Sequence, residues 1–148
     1  MIGVWSLALF FCLALSQATG DETKPVGKYG TLVIEFDGLP NDKGEVLVGL
    51  YNDPKKFPKE NQAMHNLKGK PSKKKCVIKA MKLPYGAYGV AAMHDENKSG
   101  NMDYNLIGLP KEIYGFSNNK RPVFGPPGFK ACRFVIDKPV VKIKITLK

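Results

Sequence analysis

The feature that most constrains this chain is a period of two in its apolar residues, clearest at its C-terminal end. Val141, Ile143, Ile145 and Leu147 alternate there with Lys142, Lys144, Thr146 and Lys148. Successive side chains of an extended strand point to opposite faces, so this pattern gives a strand with one buried and one wet face, and no helical stripe. Leu32, Ile34 and Phe36 repeat it near the front, and Val46, Val48 and Leu50 come after the turn from Gly38 to Gly44. Tyr88, Val90 and Ala92 share one parity; Cys132, Phe134 and Ile136 share another. Segment 75–83 is less regular, because Cys76-Val77-Ile78 is continuous and Lys79 and Lys82 break the alternation; a bulge, or a strand buried on both faces, would explain it. Strands are therefore predicted at about 28–36, 45–51, 75–83, 86–94, 130–136 and 140–147, with room for a short helix at 58–67. Many short strands punctuated by Gly and Pro predict an all-β chain: a single antiparallel β-sandwich, immunoglobulin-like or transthyretin-like, with two long loops.

The first twenty residues stand outside that pattern. The run from Val4 to Leu15 is almost wholly apolar, long enough for a signal-peptide core but short of the roughly 20 residues a membrane span needs. Ala18-Thr19-Gly20 then supplies small residues for cleavage before the polar Asp21-Glu22-Thr23-Lys24. The expectation is a signal peptide at 1–20, one β-sandwich domain at 21–148, a secreted product and no transmembrane segment. A total of 148 residues suits one domain, since two would each approach the size at which a core fails alone. The leader would remove Trp5 and Cys12 and no charge, leaving Cys76 and Cys132 as a disulfide candidate or as two buried thiols.

Two connections are long, 52–74 and 95–129, and loops of that length are often functional. The second carries the best chemical signal. Counting Asp95 as position one, side-chain oxygens fall at one, three, five and nine (Asp95, Asn97, Ser99, Asp103) and Gly100 falls at six. That matches the first nine positions of a calcium loop, where hard oxygen ligands alternate and glycine permits a sharp turn. Position twelve is Leu106 rather than a bidentate Glu, so the loop is either incomplete or completed by a distant carboxylate such as Glu112; no helix pattern flanks it, so it is no EF-hand. The competing reading is a polar turn whose Asp and Asn side chains cap their own backbone. As a Ca²⁺ site it would sit near the weak extracellular end, roughly 10⁻⁴–10⁻³ M.

Four strings in the long loops and their approaches lie in a specific order: Leu83-Pro84-Tyr85-Gly86-Ala87-Tyr88, then His94-Asp95-Glu96-Asn97 with Gly100 and Asp103, then Tyr114-Gly115-Phe116-Ser117-Asn118-Asn119, then Gly125-Pro126-Pro127. Together with Leu50-Tyr51-Asn52 they resemble the exported family known as domain of unknown function 2141, over about residues 30 to 147. The resemblance implies an extracytoplasmic β-sandwich and no established activity, so it assigns no catalytic residue. Tyr85, where that family tends to have a second proline, and the heavy lysine load are departures.

The remaining constellations each have two readings. His94 beside Asp95 and Glu96 would serve a small hydrolase-like enzyme as acid and base, but neighbours on a strand face opposite ways. A histidine at a strand end, bonding a loop, is the plainer reading. Tyr104, Tyr114, Phe116, Phe124 and Phe129 are either a ligand platform or a cover for the sandwich edge. The net charge of +10 is mostly lysine, with runs at Lys73-Lys74-Lys75, near Lys68 and Lys70, and at Lys55-Lys56 and Lys59. Arginine is scarce and the chain is expected outside the cell, which argues against nucleic acid. An acidic glycan or anionic cell surface is the partner such lysines suit, and a merely solvated face is the alternative. The reading taken forward is a secreted, non-enzymatic binding or interaction module with a weak calcium loop, the small enzyme being second.

Overall fold

A computed structural model describes residues 27–148. The expected signal peptide and its expected cleavage site lie outside the described residues. The elements in order are β1 (Tyr29–Asp37), β2 (Glu45–Tyr51), β3 (His65–Gly69), β4 (Cys76–Pro84), β5 (Gly86–Asp95), β6 (Tyr114–Phe116), a 3₁₀ turn (Ser117–Asn119), α1 (Phe129–Cys132), β7 (Phe134–Ile136) and β8 (Val140–Thr146). They form two sheets. One has the order β4-β1-β8; the other runs β3-β2-β5-β6, with β7 also pairing β5.

Alternation explains why the sheets face each other. Leu32, Ile34 and Phe36 of β1, Cys76, Ile78 and Ala80 of β4 and Val141 and Ile145 of β8 are buried with Val46, Val48 and Leu50 of β2 and Val90 and Ala92 of β5 in one core. Each fully buried Leu, Ile, Val or Phe among them contributes roughly 1.5–3 kcal/mol through the water it leaves. The irregularity at 75–83 is a bulge: Gly30 pairs Leu83, but Leu32 pairs Ala80. The extra residue leaves Met81 and Lys82 both exposed, with Lys82 in the left-handed region at φ 56°, and returns Leu83 to the core.

Several expectations need correction. The arrangement is not wholly antiparallel, because β1 pairs β8 in parallel from Thr31↔Val140 to Asp37↔Thr146. Only a short hairpin obliges antiparallel pairing; these two strands are joined by most of the chain, so either direction was open. Cys76 and Cys132 are both buried free thiols, not a bridge. They lie in separate clusters, Cys76 in the main core and Cys132 with Tyr51, Phe57, Phe116 and Phe129. Burial pushes the Cys132 thiol up to about 11, and Cys76 upward as well. The short helix at 58–67 is instead turns leading into β3, a strand with little apolar character that forms against the free edge of β2. The strand expected from 130 starts only at Phe134, after the single turn of α1.

Candidate functional site

The long connection after β5 begins where the strand delivers two fully buried polar residues, His94 and Asp95. The His94 ring donates from Nε2 to the carbonyl of Lys43 (2.7 Å), closing the β1–β2 loop onto the strand end. Its Nδ1 is buried, lacks a hydrogen bond and lies 4.0 Å from Glu96 Oε1. Close approach here depends on Gly44, because a Cβ at that position would collide with the Asp95 carbonyl oxygen. Glu96 in turn accepts from Asn41 Nδ2 (3.0 Å), so both loops are tied at their bases.

Asp95 organises the turn beyond the strand end. Its two carboxylate oxygens accept the backbone N–H groups of Ser99 (3.0 Å) and Gly100 (2.8 Å), bringing the chain back around the carboxylate. Lys98 (φ 60°) and Gly100 (φ 82°) supply the left-handed backbone this turn needs. Asn97 Oδ1 also accepts from the Ser99 amide (3.0 Å), and Asn97 Nδ2 donates to Asp103 Oδ2 (2.6 Å). The Ser99 hydroxyl donates to the Asn101 carbonyl (2.9 Å). The four residues singled out by spacing are thus one hydrogen-bonded cluster.

Glu112 joins them from the returning limb. One of its oxygens accepts the Asp103 amide (2.9 Å); the other, Oε1, is buried without a hydrogen-bond partner. Burial pushes the Glu112 carboxyl above its ordinary range; the Asp103 amide opposes this, and the neighbouring carboxylates of Asp103 and Asp95 push the same way. Among the described residues no group of three or more His, Cys, Asp or Glu stands ready to hold a metal. The oxygens carried along this turn and its returning limb are of mixed kind: the carboxylates of Asp95, Asp103 and Glu112, the Asn97 amide, the Ser99 hydroxyl and the Asn101 carbonyl, linked in pairs by hydrogen bonds and not converged on one point.

The five aromatic residues of this region do not form one platform. Phe116 and Phe129 are buried edge-to-face against Phe57, whose ring also meets Tyr51 at 5.2 Å, while Tyr104 and Phe124 are exposed. Cover is the role of the buried pair. The lysine run 73–75 forms a tight turn bridged by Ser72 and Lys75. Asp42 holds it by accepting the amides of Lys73 (2.9 Å) and Lys74 (2.6 Å), both in the left-handed region.

One feature sequence reasoning missed is the clamp made by Ser117, Asn118 and Asn119. On one edge of β5, β6 pairs Ala91–Met93 and β7 pairs Gly86–Tyr88, leaving a gap in the ladder at Val90. The buried Ser117 hydroxyl fills it, accepting the Val90 amide (2.9 Å) and donating to the Cys132 carbonyl (2.5 Å). Asn118 Nδ2 donates to the carbonyls of Ala131 (3.1 Å) and Arg133 (2.9 Å), and Asn119 Oδ1 accepts the Thr146 amide of β8 (2.8 Å). The adjacent asparagines, both with φ near +55° here, were the only local signal.

No helix among the described residues is long and apolar enough to cross a membrane. No curated protein and no solved structure matches the chain. A family model described as an uncharacterized protein conserved in bacteria (DUF2141) matches residues 34–144, which take in both sheets, the Asp95–Glu112 cluster and the Ser117–Asn119 clamp. The chain belongs to this family.

Proposed function

We propose that this protein is a secreted binding or interaction module, not an enzyme, whose loop from Asp95 to Glu112 takes a calcium ion. The observation that carries the reading is Glu112 Oε1, a buried oxygen without a hydrogen-bond partner, in a cluster where Asp95 and Asp103 already crowd negative charge. A divalent cation relieves that crowding and supplies the missing partner. Asp95, Asn97, Ser99 and Asp103 would contribute side-chain oxygens, Asn101 its carbonyl, and Glu112 the carboxylate that Leu106 does not. Hard oxygen donors of this mixed kind suit Ca²⁺ better than Mg²⁺, which demands a tighter octahedron.

The catalytic alternative finds less support. His94 is sealed from solvent, and its Nε2 proton is committed to Lys43. Two surface cavities, of about 130 and 180 Å³, are lined around Tyr51 and Met64 and around Glu35 and Lys144, away from His94, Asp95 and Glu96. Both are small beside the 300–1,000 Å³ usual for ligand pockets. The exposed lysines favour an acidic glycan or anionic cell surface as partner. For the finer fold we carry forward the immunoglobulin-like or transthyretin-like sandwich, a reading supported by two sheets sharing one core.

Thermal melting tests the calcium reading. With a dissociation constant of about 10⁻⁴ M and about 1 mM calcium, the native state gains roughly 1.4 kcal/mol. That should raise the melting temperature by about 3–6 °C over EDTA. Asp103→Asn, at a partly exposed position, should keep the fold and lose most of the shift; Glu112→Gln should do the same. A melting curve that does not move between EDTA and millimolar calcium reduces the loop to a polar turn.

A further inference from the structure

The connection between the 3₁₀ turn and α1 joins unpaired basic charge to bare apolar side chains. Residues 113–136 contain no Asp or Glu, yet carry Lys120, Arg121, Lys130 and Arg133, and all four are exposed. None of the four makes an ion pair with the described residues. Between them lies Pro122-Val123-Phe124-Gly125-Pro126-Pro127. Phe124 is fully exposed (101%) and Val123 nearly so (82%).

This loop is held at its feet. Its two feet are tied together by Ser117 on Cys132 and by Asn118 on Ala131 and Arg133, and Phe129 is packed against Phe57. Gly125 turns the chain at φ 88°, and a Cβ there would meet nothing within 4 Å, so the turn projects into open space. A side chain as large as Phe left wholly in water, on a rigid base, forgoes the stabilisation its burial elsewhere would give. Pro122, Pro126 and Pro127 have no N–H, so three of the six residues of the tip lack the donor that most resists entry into an apolar medium.

We propose that the 120–130 loop docks the protein on an anionic lipid surface, with Phe124 and Val123 entering the headgroup–acyl boundary and Lys120, Arg121, Lys130 and Arg133 resting on acidic headgroups. Apolar insertion and basic attraction are each weak alone and sufficient together. The charge pattern favours lipid at this tip over the other exposed apolar turn, Leu106-Ile107-Gly108-Leu109. That turn sits in the segment bearing Asp95, Glu96, Asp103 and Glu112 against only Lys98 and Lys111, and acidic headgroups would repel it. The inference does not rest on the calcium reading.

The test is co-sedimentation of the full secreted chain with phosphatidylcholine vesicles, with and without about a third phosphatidylglycerol, in EDTA so that calcium plays no part. Binding should require the anionic lipid and weaken between low and physiological salt. Lys120→Ser with Arg121→Ser should weaken it roughly 25-fold, at about fivefold for each basic residue lost. Val123→Ser with Phe124→Ser, at positions whose side chains are almost wholly in water, should abolish it with little change in the melting temperature. Leu106→Ser with Ile107→Ser should leave it unchanged. In the secreted chain, which loses Trp5 with its leader, Phe124→Trp supplies the only indole, and its emission should shift to the blue on anionic vesicles. Binding that survives the Val123/Phe124 pair, or an indole that does not shift, overturns the proposal. Retention on heparin that needs Lys120 and Arg121, with no vesicle binding, overturns it in favour of an anionic glycan.

Discussion

Ser117 shows how much one side chain can do where two strands share one edge. It is fully buried, and its hydroxyl occupies the place that a strand backbone would take beside Val90. Replacing it by alanine leaves the Val90 amide and the Cys132 carbonyl without this partner in a site closed to water. Ser117→Ala should therefore cost about 1–3 kcal/mol, the penalty for stranding buried polar groups. Urea denaturation measures this directly, and a midpoint that stays in place would mean that water or a neighbour takes over. His94 was legible beforehand as a strand-end histidine bonding a loop, since the strand pattern stops beside it. Ser117 was not: nothing in Phe116-Ser117-Asn118 announces that two later strands leave a gap at Val90.

Among the elements, the β1–β8 pairing places Asp37 near Lys144, with carboxylate and ammonium 2.7 Å apart. The Lys144 ammonium above all, with the Thr146 side chain beside it, holds the Asp37 carboxyl below its usual range, against a smaller opposing effect of burial. The folded state thus releases this proton more readily than the unfolded chain. Its stabilising contribution is complete above the unfolded value, near pH 4, and is lost as pH falls through the lower folded value. Asp37→Asn should therefore lower the urea midpoint at pH 6, and the difference from the unsubstituted chain should shrink toward pH 2. A difference that stays constant across that range would mean the loss is one of packing. The pairing itself is parallel, so its partners are fixed by how the chain returns from the second sheet and not by any local turn.

At the scale of the molecule, the charge of +10 is spread over a surface whose lysines are shaped by the fold. Lys73 and Lys74 both occupy left-handed backbone, which costs a side-chain-bearing residue about 1–2 kcal/mol, and Asp42 offsets part of that through two amide bonds. Lys73→Asn with Lys74→Gly keeps the turn and removes two charges. Stability should rise by about 1 kcal/mol, while retention on heparin at low salt should fall. Retention unchanged by the pair would place the polyanion contact on another face, such as the 120–130 loop.

Periodicity alone determined the β class, the positions of β1, β2, β4, β5 and β8 and the inward residues of all of these but β4, because alternation is local and water sorts the two faces of a strand. It also brought Asp95, Asn97, Ser99 and Asp103 forward together, because residues at alternate positions of one tight turn have few ways to avoid one another. What only the tertiary structure decided depends on contacts between distant segments. The parallel return of β8 depends on the second sheet, and β3 exists because β2 offers a free edge. Cys76 and Cys132 stay apart because each belongs to a different cluster. Glu112 reaches Asp103 only because the loop closes, and Phe124 stands in water only because Ser117, Asn118 and Phe129 fix the feet of its loop. In each case the energy lies in a pairing across tens of residues, which no local pattern encodes.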